Sequence, residues 1–233
     1  MKALVLMSGG LDSTTALALA VEKYGRDQVL ALSVSYGQKH SREIDASVKI
    51  AEYYGVRRIT LDLGEIFKDS TCTLLEGAGA DIPHEDYADQ LKKTNGAPVS
   101  TYVPFRNGLF LSSAAAVALS HGCEVIYYGA HADDAAGNAY PDTSERFNKA
   151  MNEAIYIGSG DQLKVEAPFI NMTKTEVVAE GARLKVPFEL TWSCYEGGQK
   201  ACGTCGTCRD RLRAFRENGM TDPLEYENGE VKG

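Results

Sequence analysis

Residues 8–13, Ser-Gly-Gly-Leu-Asp-Ser, combine residue types that suit phosphate binding, and they stand between an apolar segment and a helical one. Two glycines let the backbone turn tightly and approach a ligand closely. The free amides and the positive dipole end of the following helix attract phosphate. The hydroxyls of Ser8 and Ser13 add donors, and Asp12 can cap the helix or help to place Mg²⁺. We predict a phosphate-binding loop here; the alternative is a strand–turn–helix corner whose glycines serve geometry alone.

Four cysteines near the C-terminus have the spacing of metal ligands. Cys202, Cys205 and Cys208 form two overlapping CxxC units, and Cys194 lies eight residues before them. CxxC spacing lets two thiolates reach one ion from a tight turn, and four thiolates make a closed tetrahedral Zn²⁺ site with no position open for water. We therefore expect a structural zinc ion at these four residues. An iron–sulfur cluster and a redox dithiol are the alternatives.

Alternating strand and helix patterns must position these groups. We predict strands at residues 3–7, 29–34, 58–63, 124–129 and 164–167. We predict helices at residues 13–24, 41–54, 107–120, 143–157, 174–184 and 209–217. Continuous apolar strands that alternate with helices indicate a parallel sheet covered on both faces. The predicted fold class is therefore α/β, and the ligand site of such an open sheet lies at the carboxyl ends of the strands.

Two parts of the chain depart from this alternation. Residues 69–103 are rich in Gly, Pro, Asp and other polar residues, which is typical of a long insertion or mobile loop, and long loops of this kind often act as lids. After Trp192 the cysteine-rich segment begins. We divide the chain into a catalytic domain at residues 1–190, which carries the phosphate-binding loop, and a zinc-binding segment with a C-terminal helix at residues 191–233. A disordered tail is expected at residues 225–232.

The composition argues against several classes of function. The 233 residues include 24 Lys and Arg against 32 Asp and Glu, a net charge of −8, which argues against a broad nucleic-acid interface. No apolar run is long enough to cross a membrane, and we do not expect residues 1–7 to be part of a signal peptide. Clustered cysteines in such a chain favour metal binding over disulfides. We expect a cytoplasmic enzyme with no direct nucleic-acid partner and no membrane association.

The loop at residues 8–13 resembles the PP-loop of the ATP pyrophosphatase family. This resemblance implies an open, parallel, Rossmann-like sheet of the adenine-nucleotide hydrolase type. It also implies an enzyme that binds the pyrophosphate of ATP in the loop and transfers AMP to a substrate oxygen, after which a nucleophile displaces AMP. The ATP-binding residues that it implies are Met7, Ser8, Gly9, Gly10, Leu11, Asp12, Ser13, Thr14 and Thr15.

Further motifs narrow the resemblance and extend it over residues 1–218. With them, the chain is similar to the 7-cyano-7-deazaguanine synthase family of queuosine biosynthesis. Members of that family often carry glutamine at the position of Leu11 and cysteine at the position of Thr143, so this chain differs there. The motifs are SYGQKH at residues 35–40 followed by Glu43, VPFRN at 103–107, GAHADD at 129–134 with YPD at 140–142, and SCY at 193–195 leading into CGTCGTC.

The family resemblance implies the conversion of 7-carboxy-7-deazaguanine and ammonia into the 7-nitrile. Two ATP-dependent activations are required, because the acid must first become an amide and the amide must then lose its oxygen. Adenylation turns a poor leaving oxygen into a good one, while the enzyme supplies position and charge stabilisation. The implied cofactors are structural Zn²⁺ and ATP with Mg²⁺, and the implied assembly is a homodimer.

Two cationic residues at predicted helix starts complete the predicted catalytic set with Asp12. Arg106 suits phosphate oxygens through its planar guanidinium, with a surface ion pair as the alternative. Lys174 resembles a second basic position of PP-loop enzymes, which implies that it neutralises phosphate charge. The alternative for Lys174 is a solvated helix residue beside a capping box formed by Thr173 and Glu176.

Polar residues after the second and fourth predicted strands form the predicted substrate-binding set: Tyr36, His40, Asp133 and Asp142. One or more of Asp133, Asp134 and Asp142 is expected to accept hydrogen bonds from the amino and ring N–H edge of the deazaguanine, with helix capping as the alternative. The resemblance places Tyr36 and His40 near ATP or the substrate. His40 can assist proton transfer or serve structure alone.

Three other functions are weighed against this one. A tRNA-modifying ATP pyrophosphatase shares the chemistry, but the acidic charge and the lack of an added RNA-binding domain argue against it. A nucleotide-sensing binding protein of the same fold would have no turnover, and the cysteine cluster gives it little support. Amide formation fed by glutamine would need a glutaminase domain or subunit, and the chain shows no such domain.

Overall fold

The computed structural model describes residues 1–95, 97–227 and 229. Within them, five strands pair in parallel as one sheet, which confirms the predicted α/β class. Every predicted strand is found, within two residues at each end. The strands are β1 (Ala3–Leu6), β2 (Val29–Ser35), β3 (Arg57–Asp62), β4 (Val125–Tyr127) and β5 (Lys164–Glu166). Their order across the sheet is β3-β2-β1-β4-β5.

Helices follow the strands along the chain, and every predicted helix is found. They are α1 (Leu11–Tyr24), α2 (Arg42–Tyr54), α3 (Gly64–Phe67), α4 (Tyr87–Lys93), α5 (Arg106–Ser120), α6 (Ala132–Ala135), α7 (Glu145–Gly158), α8 (Lys174–Arg183) and α9 (Gly206–Glu217). The short helices α3, α4 and α6 are absent from the sequence prediction. None of the described helices combines the length and the hydrophobicity that crossing a bilayer requires.

Alternate side chains of β1 enter two separate cores. Ala3 and Val5 are buried in the core that includes residues of α1, α8 and α9, whereas Leu4 is buried in the core that includes residues of α5 and α7. The register pairs Ala3 with Val29 of β2 and with Val125 of β4. Successive strand residues point to opposite faces, so a strand that is apolar throughout needs a covering layer on each side.

The chain changes its direction of travel across the sheet at β1. From β1 it proceeds to β2 and β3 on one side, and it then returns to place β4 and β5 on the other side. Such a switch point leaves a crevice at the carboxyl ends of the two central strands, where open α/β sheets bind their ligands. The loop at residues 8–13 follows β1 and the motif at residues 129–134 follows β4. The topology therefore brings both motifs to the same crevice.

The cysteine-rich segment packs onto the rest of the chain. The ring of Phe215 in α9 meets the ring of Phe188 edge-on, with the ring centres 5.0 Å apart. The core on this face continues into the four cysteines. The fully buried guanidinium of Arg211 forms an ion pair with Asp222 at 2.7 Å. The hydrophobic core thus crosses the boundary that we place between residues 190 and 191.

The predicted disordered tail at residues 225–232 is ordered where it begins. The Tyr226 side chain is buried, its hydroxyl donates to Asp222 at 2.6 Å, and its backbone pairs with Ala201. The prediction is wrong for residues 225–227, because the burial of one aromatic ring and its hydrogen bond anchor a segment that is otherwise polar. Residues 228 and 230–232 lie outside the described residues.

The segment at residues 69–103 contains regular structure that its composition did not predict. Helix α4 lies within it, and Leu75 pairs with Gln38 through a backbone bridge. The side chains of Cys72, Leu74 and Ile82 are buried. A few apolar side chains therefore fasten a mostly polar segment to the body of the protein.

Candidate active site and cysteine cluster

Close backbone contacts hold the predicted phosphate loop against three neighbouring segments. Gly9 has a φ of 94°, and a Cβ atom there would lie 2.2 Å from the carbonyl oxygen of Glu43 in α2. A Cβ atom on Gly129, just after β4, would lie 2.8 Å from the carbonyl carbon of Asp12. The amide of Trp192 donates to the Gly9 carbonyl at 2.9 Å. Glycine is needed at positions 9 and 129, because any side chain there would displace backbone.

The loop presents hydroxyl groups to a cavity at the switch point. The Ser8 hydroxyl accepts from the Gly10 amide at 3.2 Å and lies 3.0 Å from the Ser13 hydroxyl. Five of the residues predicted to bind ATP line this cavity, namely Met7, Ser8, Gly10, Asp12 and Ser13. The remaining four, Gly9, Leu11, Thr14 and Thr15, do not line it, and the last three are fully buried in the body of the protein.

Lys174 joins helix α8 to the phosphate loop through a largely buried ion pair. Its ammonium group donates to both carboxylate oxygens of Asp12, at 2.7 and 2.5 Å, and the lysine is only 5% exposed. Burial acts to raise the pKa of Asp12, but the charge and hydrogen bond of Lys174, together with the charges of His131 and Arg211, outweigh it, so the pKa lies below its ordinary value. Thr173 and Glu176 also form the capping box. Lys174 therefore begins a capped helix, as the alternative describes, but it is buried rather than solvated, and it lines the cavity.

Arg106 enters the cavity from the start of α5. Its guanidinium donates to the Tyr36 hydroxyl at 3.2 Å and lies over the rings of Tyr36 and Phe110, at 5.3 and 5.9 Å from the ring centres. The residue before it, Phe105, has a left-handed φ of 56°. A non-glycine residue in this conformation stores about 1 kcal/mol or more of strain. The strained residue turns the chain into α5 and so brings Arg106 to the cavity.

The four predicted substrate-binding residues fall into two groups. Tyr36 and His40 line the cavity. The carboxylate of Asp142 accepts from a backbone amide in the first turn of α5, and that of Asp133 accepts from the first amide of α8, both at 2.8 Å. These amides have no partner within their own helices, and carboxylates suit them. The helix-capping alternative describes the contacts of Asp133 and Asp142.

Of the three aspartates Asp133, Asp134 and Asp142, Asp134 is the one that lines the cavity, and His131 lines it as well. The Nε2 atom of His131 lies 3.4 Å from Asp134 and 3.8 Å from Asp12, and the imidazole is 3% exposed. Burial raises the pKa of Asp134. Both residues stand in the GAHADD motif, but nothing in the motif tells which aspartate faces inward. One step along a helix turns the side chain by about 100°, so only the three-dimensional placement of α6 decides it.

Three tyrosine hydroxyls meet in the cavity wall. The Tyr195 hydroxyl lies 2.9 Å from that of Tyr87 and 3.3 Å from that of Tyr140, which is also 2.6 Å from Thr101. Burial raises the pKa of all three phenols, so they stay protonated and can donate. Tyr140 and Tyr195 belong to motifs found in the sequence. Tyr87 comes from the segment at residues 69–103, where no sequence signal marked it.

His84 fastens that segment to the cysteine-rich segment. Its imidazole is hydrogen-bonded to Thr204 at 2.6 Å and to Glu196 at 2.9 Å. The guanidinium of Arg209, in the first turn of α9, donates to the His84 carbonyl at 3.3 Å. Because Tyr87 and Tyr195 also touch, the two segments together form one wall of the cavity.

The four cysteines converge into one buried cluster, as predicted for a metal site. Their sulfur atoms all lie within 4.8 Å of one another. Four sulfurs around Zn²⁺ at normal bond lengths stand about 3.8 Å apart, and the sulfurs of Cys202 and Cys208 are 4.0 Å apart. Backbone amides donate to the sulfurs of Cys194 and Cys202 at 3.3 to 3.4 Å. The donor set and its spacing fit a tetrahedral metal ion.

Sequence comparison places the chain among proteins of one kind. The 7-cyano-7-deazaguanine synthase of Caldicellulosiruptor bescii is 40% identical over 227 residues, which cover 97% of this chain and 98% of that protein. The protein of the same name from Thermoplasma acidophilum is 44% identical over 232 residues, covering 97% of this chain and 92% of the relative. The family model described as "Queuosine biosynthesis protein QueC" matches residues 2–219.

A solved structure shows that the fold is shared more widely. The NMN synthetase from Francisella tularensis aligns with a TM-score of 0.51 at 15% identity, over 94% of this chain and 77% of that one. At this identity the likeness concerns the fold alone. The family is shown by the match over residues 2–219 and by relatives of nearly the same length. The chain belongs to the QueC family of queuosine biosynthesis proteins.

Proposed function

We propose that the chain is a 7-cyano-7-deazaguanine synthase, an ATP-dependent ligase that converts 7-carboxy-7-deazaguanine and ammonia into the 7-nitrile. The observation that carries this proposal is the family match over nearly the whole chain, with two relatives of that name at 40 and 44% identity. The cavity at the switch point supports it, because one space holds a glycine loop, the cations Arg106 and Lys174, and aromatic walls suited to a planar ring.

ATP is proposed to bind with its phosphates at residues 8–13. The amides at the start of α1 and the hydroxyls of Ser8 and Ser13 donate to phosphate oxygens. Asp12 helps to hold the Mg²⁺ that accompanies ATP, and Lys174 neutralises phosphate charge beside it. Arg106 binds phosphate oxygens through its planar guanidinium. In this proposal the three predicted catalytic residues surround the α-phosphate.

The chemistry consists of two activations. In the first, a carboxylate oxygen attacks the α-phosphorus of ATP and releases pyrophosphate; ammonia then displaces AMP and leaves the amide. In the second, the amide oxygen attacks a second ATP, again with release of pyrophosphate, and loss of AMP and two protons gives the nitrile. Both steps need orientation and charge stabilisation from the protein, which a cavity lined by fixed cations supplies.

Asp134 is proposed to accept hydrogen bonds from the amino and ring N–H edge of the deazaguanine. It lines the cavity, whereas Asp133 and Asp142 bond to helix amides. Tyr36 contributes an aromatic face, and burial raises its pKa to about 12, so its hydroxyl stays protonated. His40 completes this side of the cavity.

Structural Zn²⁺ is proposed at the four cysteines, because a closed set of four sulfur ligands suits zinc and leaves no coordination position for a substrate. Cysteines that bind a metal instead of forming disulfides are typical of a reducing compartment, so we place the reaction in the cytoplasm. The homodimer implied by the family resemblance stays a prediction, which light scattering of the purified protein tests.

The function is tested by incubating the protein with 7-carboxy-7-deazaguanine, ATP, Mg²⁺ and ammonium, and by analysing the products by mass spectrometry. We expect the nitrile together with AMP, and neither when ATP or ammonium is omitted. Thiolated or aminated tRNA without any nitrile would overturn the proposal in favour of a tRNA-modifying enzyme.

A further inference from the structure

Among the described residues, four carboxylates line the cavity, and Glu43 is the one that has no cationic or imidazole partner in hydrogen-bond or ion-pair contact. A cation or imidazolium in contact with a carboxylate stabilises its ionised form and makes it a weaker proton acceptor than it would be alone. Glu43 is the cavity carboxylate that no such partner contacts. The other three face partners: Asp12 faces Lys174 at 2.5 Å, Asp134 faces His131 at 3.4 Å, and Asp210 faces Arg213 at 2.9 Å.

Glu43 stands between the phosphate loop and Arg106. Its carbonyl oxygen occupies the space where a side chain of Gly9 would lie. Its carboxylate is close enough to Arg106 and Tyr36 to act on the charge of both, and these two groups lie 3.2 Å apart. From the segment at residues 69–103, Cys72 faces the same corner. A group in this position lies beside the phosphate end of the cavity, where an acyl adenylate joins AMP to the substrate.

The environment of Glu43 suits a group that exchanges protons at neutral pH. Burial raises its pKa to about 7, and the nearby charge of Arg106 opposes this only in part. A general base is most effective when its pKa lies near the working pH. Ammonia in neutral solution is mostly ammonium, which has no lone pair and cannot attack a carbonyl carbon until it loses a proton. The amide-forming step therefore needs a base close to the adenylated carboxyl.

We propose that Glu43 is the general base of the amide-forming step, so that its carboxylate takes one proton from ammonium beside the adenylated carboxyl. The ammonia so formed attacks the carboxyl carbon. The C–N bond forms while the C–O bond to AMP breaks, and AMP leaves with the carboxyl oxygen. The new amide nitrogen then loses a further proton, and Glu43 returns the first proton to solvent. The role rests on the proposed function of the cavity.

Partial reactions separate this role from substrate binding. Glu43→Gln removes the base and preserves the shape of the side chain. Without ammonium, the exchange of labelled pyrophosphate into ATP that depends on 7-carboxy-7-deazaguanine measures adenylation alone. We expect the exchange rate of the variant to stay within about threefold of the wild-type rate. Amide and nitrile formation should fall by about 100-fold or more, as for the loss of a general base. Glu52→Gln, at an exposed position of the same helix, is the matched control and should leave both reactions unchanged.

The pH dependence gives a second measurement. At subsaturating total ammonium, the wild-type rate should level off above pH ~7, because Glu43 is then ionised and the ammonium concentration is nearly constant. The variant can use only free ammonia, so its rate should rise about tenfold per pH unit. Hydroxylamine is largely uncharged at neutral pH and needs no base. We expect it to trap the adenylated acid as the hydroxamate equally fast in both proteins.

Three outcomes would overturn the proposal. Equal losses of pyrophosphate exchange and of amide formation in the variant would make Glu43 a substrate-binding residue. A wild-type rate that climbs about tenfold per pH unit above neutrality would show that free ammonia from solution is the nucleophile and that no base acts on ammonium. If the wild-type protein shows no pyrophosphate exchange that depends on 7-carboxy-7-deazaguanine, the proposed function itself is rejected, and the role of Glu43 with it.

Discussion

The ammonium group of Lys174, in the first turn of α8, reaches both carboxylate oxygens of Asp12, in the first turn of α1. The two residues are 162 positions apart in the chain. The pair brings the helix after β5 to the loop after β1, and it keeps the Asp12 carboxylate ionised because Lys174 lowers its pKa. An ionised carboxylate beside a cation is suited to holding a metal–phosphate complex.

Replacing Asp12 with asparagine should remove ATP turnover. The amide cannot hold Mg²⁺ as a carboxylate does, and it leaves Lys174 largely buried without its counterion. We expect the rate of AMP formation to fall by at least ~100-fold, which is typical of losing one group that stabilises transition-state charge. The free energy of unfolding should also fall, since Lys174 loses its partner. Coupled AMP assays and urea unfolding measure the two effects, with Asp27→Asn on the exposed turn after α1 as the control. Unchanged turnover would remove Asp12 from the phosphate site.

Replacing Cys205 with serine should release the metal and destabilise the protein. The four sulfurs converge in the core shared with α8 and α9, so a lost ligand loosens a packed region. We expect about one equivalent of zinc in the wild type and a strongly reduced content in the variant, measured by mass spectrometry of the metal, together with a lower melting temperature. Cys72→Ser, outside the cluster, should retain the metal. Visible absorption that bleaches on reduction would contradict zinc and favour an iron–sulfur cluster.

Replacing His84 with alanine should free the segment at residues 69–103 from the cysteine-rich segment. Two hydrogen bonds of the imidazole are lost, each contributing about 0.5–1.5 kcal/mol, so local opening should become roughly tenfold more frequent or greater. Limited proteolysis within residues 69–103 measures this opening, and His121→Ala serves as the control. We expect a raised KM for the acid substrate, because Tyr87 loses its support. Equal cleavage rates in the variant and the wild type would show that His84 does not fasten the segment.

The free energy of unfolding should depend on pH through the protonation of Glu43. Because its pKa is raised from 4.5 to about 7 in the folded state, the native protein binds more protons than the unfolded chain between those values. The free energy of unfolding therefore falls as the pH rises through this window, by up to about 3 kcal/mol. Glu43→Gln should remove this loss, so that the variant is more stable than the wild type at pH ~8 and not at pH ~4.5. Urea unfolding across the window measures it; parallel curves for the two proteins would contradict the raised pKa.

The fold was accessible from the sequence because its signals are local. The apolar ALVL run of β1 needs cover on both sides, and the alternation with helices implies a parallel sheet. The helix α4 was missed because a helix of seven residues within a polar, glycine-rich stretch is too short to show a periodic pattern. The ordered conformation of residues 225–227 was missed because it depends on the contacts of Tyr226 with Asp222 and Ala201. No sequence pattern in the tail predicts these contacts.

The residues of the candidate site were likewise predictable only where the sequence signal is local. The phosphate loop and the cysteines could be located from adjacent residues, since glycine spacing and CxxC spacing are local. The choice between Asp133 and Asp134 could not, because the two neighbours point in different directions and only the position of α6 decides which one meets the cavity. Glu43 appeared in a motif without a role, because its place near Arg106 depends on where the fold puts α2 and α5, which no local sequence pattern carries.

The central claim, activation of the acid through its own oxygen at the α-phosphate of ATP, is tested most directly with 7-carboxy-7-deazaguanine labelled with ¹⁸O in both carboxyl positions. Each activation transfers one substrate oxygen to AMP, so we predict two molecules of AMP for each nitrile, each carrying one ¹⁸O. Mass spectrometry of the nucleotide products gives the answer in one experiment. Unlabelled AMP, or label found in inorganic phosphate with ADP as the nucleotide product, would contradict the account.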